Sequence, residues 1–340
     1  MASLKDIAQV CGVSVATVSK ALNNHKDIGE DTKEYIRRVA KEMGYSPNLS
    51  ARALKTRRTH GIGVLFADEA MSGLTHDYFS GVLDSFKRTA EKRGYDITFI
   101  NSCKERVDRM SYLEHSRYRG FDGVVLACID FKDPEVIELV QSDIPVVTID
   151  YLFNNRTAII SDNVTGMREL LEYVHSMRHR KIAYIHGADS AVTNSRLSSF
   201  YRTAEKLGLE IPDVYIREAA YRDTEHTYQV TNELLDLPDP PTCILYPDDF
   251  AAFGGINAIR ERGLKIPEDI SIAGYDGIRA ARHLEPRLTT VQQDTEQIGS
   301  QAAKELISLI ERPKTTVVEP IVIPGRVVEG KSVAHYETTK

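Results

Sequence analysis

Ser3-Leu4-Lys5-Asp6-Ile7-Ala8, followed by Gly12-Val13-Ser14-Val15-Ala16-Thr17-Val18-Ser19-Lys20, decides how this chain of 340 residues begins. Ser3 with Asp6 three residues later is a helix-start pairing that satisfies two otherwise orphaned backbone N–H groups. The inward positions of that helix are Leu4, Ile7, Ala8 and Cys11. Gly12 supplies a tight turn, and Ser14 caps a second helix with Thr17 at its third position and Val18 and Leu22 on its inner face. A third helix starts near Glu30, carries Ile36, Val39, Ala40 and Met43 inward, and ends at Gly44. Two short helices joined by a glycine turn and braced by a third predict a helix-turn-helix headpiece over residues 1–46.

Charge separates this headpiece from the rest of the chain. Residues 1–59 hold 11 Lys+Arg against 6 Asp+Glu, a balance of +5, whereas the remainder holds 32 against 43, or −11. The overall net charge of −6 hides that asymmetry. A basic arm on an acidic body is drawn to phosphates by one end only, which points to nucleic acid as the partner. The plainer reading is a three-helix interaction module with a mildly basic face; the turn chemistry and spacing favour DNA.

The run Leu4-Lys5-Asp6-Ile7-Ala8, Gly12-Val13-Ser14, Ala16-Thr17-Val18-Ser19, Leu22-Asn23, then Gly44-Tyr45-Ser46-Pro47-Asn48 and Ala51-Arg52-Ala53-Leu54-Lys55 resembles the lactose/galactose repressor family. The likeness continues through nearly the whole chain, to about Val333. It implies that the second helix enters the major groove with Val15 and Ala16 exposed and Lys20 one turn on. Val15 and Ala16 offer only apolar contacts, such as to a thymine methyl, while Lys20 can donate to guanine or rest on a phosphate. Ser14, Thr17, Ser19 and Asn23 read as caps and backbone or phosphate contacts. The resemblance also implies a hinge over residues 47–59, in which Leu54 and its symmetry mate wedge into the minor groove with Ala51 and Lys55 beside it. The alternative for that segment is a plain linker. Two half-sites on a pseudo-palindromic operator require two headpieces, so a homodimer is expected; residues 334–340 contain no leucine heptad and read as a tail.

From residue 60 onward the pattern alternates strand and helix. Apolar runs with strand character fall at 61–66, 96–101, 123–127, 146–149, 181–185, 242–245 and 270–275, with helix-length segments such as 78–93 and 163–177 between them. This predicts an α/β body of parallel sheets covered on both faces, too long for one sheet, and hence two doubly wound lobes. The resemblance, here shared with periplasmic sugar-binding proteins, implies three chain crossings: a first lobe of residues 60–161 and 292–320 and a second of 162–291 and 321–333. Between such lobes a ligand sits at the carboxyl ends of the strands.

Cleft candidates emerge from loop position and from the family pattern. Asp77, Tyr78 and Phe79 open the first long helix, and Asp150 ends the strand before the first crossing. Arg196 in Asn194-Ser195-Arg196-Leu197 matches the family's ligand-clamping arginine, and Tyr221 falls at its aromatic platform. Asp248-Asp249 replaces the usual Asn-Asp, and Asp276 in Gly274-Tyr275-Asp276-Gly277 matches the strand-end aspartate. An arginine with several carboxylates suits neighbouring hydroxyls, so a small sugar-like effector is expected. Asp249 as a helix cap, Asp276 as a turn residue and Arg196 in a structural ion pair are the duller readings.

Catalytic readings find little support. Gly61-Ile62-Gly63 lacks the third glycine and a preceding strand, no phosphate loop occurs, and no nucleophile–base set is visible, so neither an enzyme nor a cofactor is expected. His175 and His179, at helical spacing, read as a solvated face rather than a metal site. Cys11, Cys103, Cys128 and Cys243 form no close pair, and no leader-type or membrane-length apolar run is present, which predicts a reducing cytoplasm. A plain solute-binding protein would have no use for the headpiece. A ligand-responsive DNA-binding transcriptional regulator, acting as a repressor, accounts for both halves.

Overall fold

The computed structural model describes residues 2–45, 58–67, 72–101 and 110–337. The chain divides into two compact units, Met1–Thr59 and His60–Lys340. The hinge candidates Ala51, Leu54 and Lys55 lie outside the described residues.

In the first unit, helices α1 (Leu4–Cys11), α2 (Val15–Leu22) and α3 (Glu30–Glu42) enclose a core of Ile7, Val18, Ala21, Ile36 and Val39. Ser3 and Asp6 form the reciprocal cap that the spacing predicts, and Gly12 closes α1 in the left-handed conformation at φ 67°. Ser14 Oγ accepts from Thr17 N at 3.1 Å and starts α2. These caps act before any packing does, which is why both ends are legible in sequence.

The second unit holds two six-stranded sheets. The first contains β1 (Gly61–Phe66), β2 (Asp96–Phe99), β3 (Gly123–Ala127), β4 (Val146–Ile149), β5 (Thr157–Ser161) and β11 (Pro320–Ile323), in the order β11-β5-β4-β3-β1-β2 and all parallel. The second contains β6 (Ile182–His186), β7 (Ile216–Glu218), β8 (Cys243–Leu245), β9 (Ser271–Asp276), β10 (Thr289–Gln292) and β12 (Arg326–Val328), in the order β12-β10-β9-β8-β6-β7, with β12 alone antiparallel. Each sheet has a separate apolar cluster on either face, so its central strands are buried on both sides and read as unbroken apolar runs. In the first lobe, α4 (Asp77–Lys92) packs on α11 (Thr295–Glu311) over one face, and α5 (Tyr112–Arg119) and α6 (Pro134–Gln141) cover the other. In the second, α7 (Asn163–Ser176) and α8 (Ala191–Lys206) cover one face, with α9 (Thr224–Leu235) and α10 (Ala252–Glu261) opposite.

Three boundaries differ from expectation. Residues 321–323 pair with β5 and belong to the first lobe, so the third crossing falls between Ile323 and Arg326. Gln292 pairs with Asp276 in the second sheet, so the chain returns to the first lobe only after it. Residues 334–336 are not a loose tail: Ala334 N donates to Ser271 Oγ at 3.1 Å and Tyr336 N to Met177 O at 2.8 Å. His179 explains the attachment and corrects the solvated-face reading. It lies beyond the end of α7, is buried, and bridges Thr242 Oγ1 at 2.8 Å and Ala334 O at 3.0 Å. Among the described residues no cluster of His, Cys, Asp and Glu could hold a metal, and no helix is long and apolar enough to cross a membrane.

Candidate functional site

On the headpiece, α2 presents Val15, 44% exposed, with Ala16 and Lys20 also on the surface. Ser14, Thr17 and Asn23 are engaged locally: Ser14 and Thr17 hydroxyls lie 2.9 Å apart, and Asn23 Nδ2 donates to Ser19 O at 2.7 Å. Lys20 Nζ pairs with Asp27 at 2.5 Å, both half exposed, and this hydrogen bond lowers the Asp27 pKa. Such a pair exchanges readily for phosphate or a base edge. The exposed face of α2 thus carries two apolar side chains and one cation.

In the second unit a cavity of about 790 Å³ opens between the lobes at the carboxyl ends of both sheets. The end of β9 and the segments leaving β3, β4, β6, β7, β8 and β10 line it. Among the described residues, eight non-glycine residues have positive φ, and four of them line this cavity: Cys128, Asp150, Arg222 and Asp276. Backbone strain gathered at one place marks a site that the fold holds against a cost.

The floor of the cavity lies beside the crossings. Tyr78 OH donates to Asp150 Oδ2 at 2.6 Å and lies 3.2 Å from Ser161 Oγ, while Ser161 N donates to Asp150 Oδ1 at 2.9 Å. From the other lobe, Arg196 is fixed by Nε to Asn163 Oδ1 at 2.8 Å and Nη1 to Pro247 O at 2.9 Å. Its guanidinium lies on the Tyr275 ring, 3.5 Å from the centroid, which leaves the Nη2 edge toward Asp276 Oδ1 at 4.0 Å. Asp276, the last residue of β9, accepts from Gln293 Nε2 at 2.6 Å. Burial raises the pKa of both Asp150 and Asp248 and pushes Asp276 up to about 6, against the pull of Arg196. Tyr221 OH meets Thr193 Oγ1 at 2.9 Å, and its ring lies so close to Gly187 that a Cβ there would stand 2.1 Å from it. Phe79, with Phe131 and Tyr151 stacked at 4.3 Å and 11°, adds aromatic wall.

Two candidates are placed otherwise than expected. Asp249 is fully buried and does not line the cavity: Oδ1 accepts from Thr290 Oγ1 at 2.6 Å and Oδ2 from Ile278 N at 2.9 Å, so it braces the loop after β9. Asp77 stands at the rim, where its Oδ2 accepts from Arg222 Nη1 at 3.1 Å across the lobes. Asp248 does line the cavity, yet its carboxylate accepts from Ala251 N and Arg222 N, each at 2.8 Å, and so shapes the wall. Sequence reasoning did not mark Gln293, Arg222, Phe131 or Tyr151. Their one signal was position, since each comes after a strand at its carboxyl end.

Residues 3–48 match the model described as bacterial regulatory proteins, lacI family, and residues 171–333 match the periplasmic binding protein-like domain. The "Probable HTH-type transcriptional repressor ExuR" of Bacillus subtilis is 32% identical, covering 93% of each chain. The "HTH-type transcriptional repressor PurR" of Escherichia coli is 29% identical over 98% of this chain and 97% of its own. A Lac repressor dimer bound to operator and the anti-inducer ONPF shares the fold at TM-score 0.83 with 24% identity, covering 98% and 99% of the two chains. A LacI family regulator from Enterococcus faecium with bound ribose superposes at TM-score 0.70 with 25% identity, covering 82% and 100%. With a capped helix-turn-helix, a two-lobed binding body and a relative of this identity matched along almost its full length, the chain belongs to the LacI family of bacterial regulatory proteins.

Proposed function

We propose that this regulator represses transcription as a homodimer on a pseudo-palindromic operator in the bacterial cytoplasm, and that a hydroxyl-rich, sugar-like effector between the lobes switches it. Membership of a family of repressors makes it a DNA-binding regulator rather than an enzyme. The effector class rests on the cavity floor, where buried Arg196 and Gln293 and part-buried Asp276 and Asp150 offer donors and acceptors beside an aromatic wall. Carboxylates accept from ring hydroxyls, the guanidinium donates to them, and an aromatic face covers the C–H side of a pyranose. The bound ribose of the Enterococcus faecium neighbour supports the same class.

Thermal-shift screening of the full chain against hexoses, pentoses and disaccharides identifies the effector, because binding raises the melting temperature by mass action. Arg196→Ala and Asp276→Ala are expected to abolish that shift and the change in operator affinity while leaving operator binding intact. Leu54→Ala is expected to do the reverse, weakening operator binding with effector affinity unchanged. A fully responsive Arg196→Ala protein excludes the floor as the effector site.

A further inference from the structure

We propose that Arg222 is the clasp of the cleft, tying the two lobes together through Asp77 and offering its unpartnered Nε–H to an acceptor oxygen of the effector. Arg222 belongs to the second lobe, in the loop after β7, whereas Thr75 and Asp77 belong to the first. Its Nη1 donates to Asp77 Oδ2 at 3.1 Å and its Nη2 to Thr75 O at 3.4 Å, and the guanidinium lies over the Phe250 ring, 4.2 Å from the centroid. The side chain is only 8% exposed. Its backbone is left-handed, at φ 60°, and is held there by the bond from its N–H to Asp248 Oδ2. A strained, desolvated arginine spanning two lobes is positioned for more than packing.

Nε makes the case for a ligand. It is buried with no hydrogen-bond partner among the described residues, in a side chain that lines the cavity. An unpaired buried charged donor is unfavourable, and an oxygen arriving at that wall removes the penalty. Since the guanidinium is held in place by Asp77 and Thr75, Nε takes this direction only while the lobes are together. An effector that accepts from Nε therefore binds the closed arrangement better than the open one, and by that difference it shifts the population. The oxygen is a hydroxyl, ring or glycosidic one; a donor-only or aliphatic group at that wall gains nothing. Among the described residues the other ion pair across the cleft, Lys132–Asp189 at 3.8 Å, joins side chains 80% and 74% exposed and is weakened by solvent. The clasp thus rests on Arg222.

The ligand half of this inference rests on the effector reading above; the clasp does not. The test uses the full chain, with amide hydrogen exchange across residues 72–80 and 218–224 and thermal-shift titration with D-ribose, D-glucose, D-galactose and cellobiose. Without sugar, Asp77→Ala and Arg222→Lys are expected to exchange faster than wild type in both segments. The sugar that stabilises the wild type is expected to bind Arg222→Lys at least tenfold more weakly, and Asp77→Ala less affected, because only the first loses Nε. Unchanged exchange in Asp77→Ala overturns the clasp, and wild-type affinity in Arg222→Lys overturns the ligand contact. If none of the four sugars stabilises the wild type, the effector reading fails for them, and the exchange comparison still decides the clasp.

Discussion

At Asp276 stability and the proposed recognition of the effector pull in opposite directions. Burial pushes its pKa up to about 6 from an ordinary value of 3.8, with Asp248 and Asp150 adding repulsion and Arg196 opposing it. A carboxyl whose folded pKa is raised stabilises the fold relative to the unfolded chain only while protonated; that contribution is present below about pH 4 and is lost as pH rises through about 6. At pH 7.5 the residue is an ionised group whose net effect is unfavourable until a ligand's hydroxyls satisfy it. Asp276→Asn, which removes the charge and tolerates the positive φ of 101° at this position, is expected to raise the melting temperature of the ligand-free protein at pH 7.5 and to lose the effector shift. In the wild type, effector affinity is expected to fall about tenfold per unit as pH drops below about 6, as protonation removes the acceptor. A flat affinity between pH 5 and 8 argues that Asp276 does not bind as a carboxylate.

At the scale of elements, the C-terminal segment after β12 behaves as part of the second lobe. Ser332 Oγ donates to Ile272 O at 2.7 Å, and His179 spans from Thr242 to the carbonyl of Ala334. The carbonyl can only accept, so Nε2 carries a proton, while Nδ1 faces the Thr242 hydroxyl, which also donates to Lys181 O at 3.2 Å; burial is what favours the neutral ring. Burial lowers the His179 pKa below 6.5, so its contribution is present above that value and is lost as pH falls beneath it. Deleting residues 334–340 strands the ring in a buried position, at a cost of about 1–3 kcal/mol, and is expected to lower the melting temperature by several degrees. His179→Gln is expected to flatten the loss of stability between pH 6.5 and 5; an equally steep loss assigns the acid sensitivity elsewhere. This attachment was not legible in sequence because it is made by backbone groups of a segment with no apolar period. The helix starts were legible, since caps such as Ser3–Asp6 and Ser14–Thr17 are local. The short strands β7 and β12 were not, having three residues each and no alternation to read. At the site, Arg196 and Asp276 stand in motifs, whereas Arg222 and Phe131 are single loop residues. Asp248 and Asp249 are adjacent carboxylates, and only the backbone of the loop after β8 decides which one faces the cavity.

For the whole molecule, charge divides the labour between the two units. The first 59 residues carry a balance of +5 and the remainder −11, so the headpiece must supply the attraction to phosphate while the body opposes it. Phosphate contacts act by releasing counterions, and affinity that depends on several of them falls steeply with salt. The groups of the cleft are of another kind: Arg196, Asp248 and Arg222 are buried and hydrogen-bonded, where ions of the medium screen them little. The two binding events should therefore separate cleanly under one variable. Between about 50 and 200 mM salt, operator affinity of the dimer is expected to fall about 10³-fold or more, as for proteins making 6–10 phosphate contacts. Effector affinity over the same range is expected to change less than about twofold. Fluorescence anisotropy with labelled operator and thermal-shift titration with the identified sugar, run in matched buffers, measure both. A parallel decline would mean that the effector is held by exposed charge, and would move its site away from the floor formed by Arg196 and Asp276.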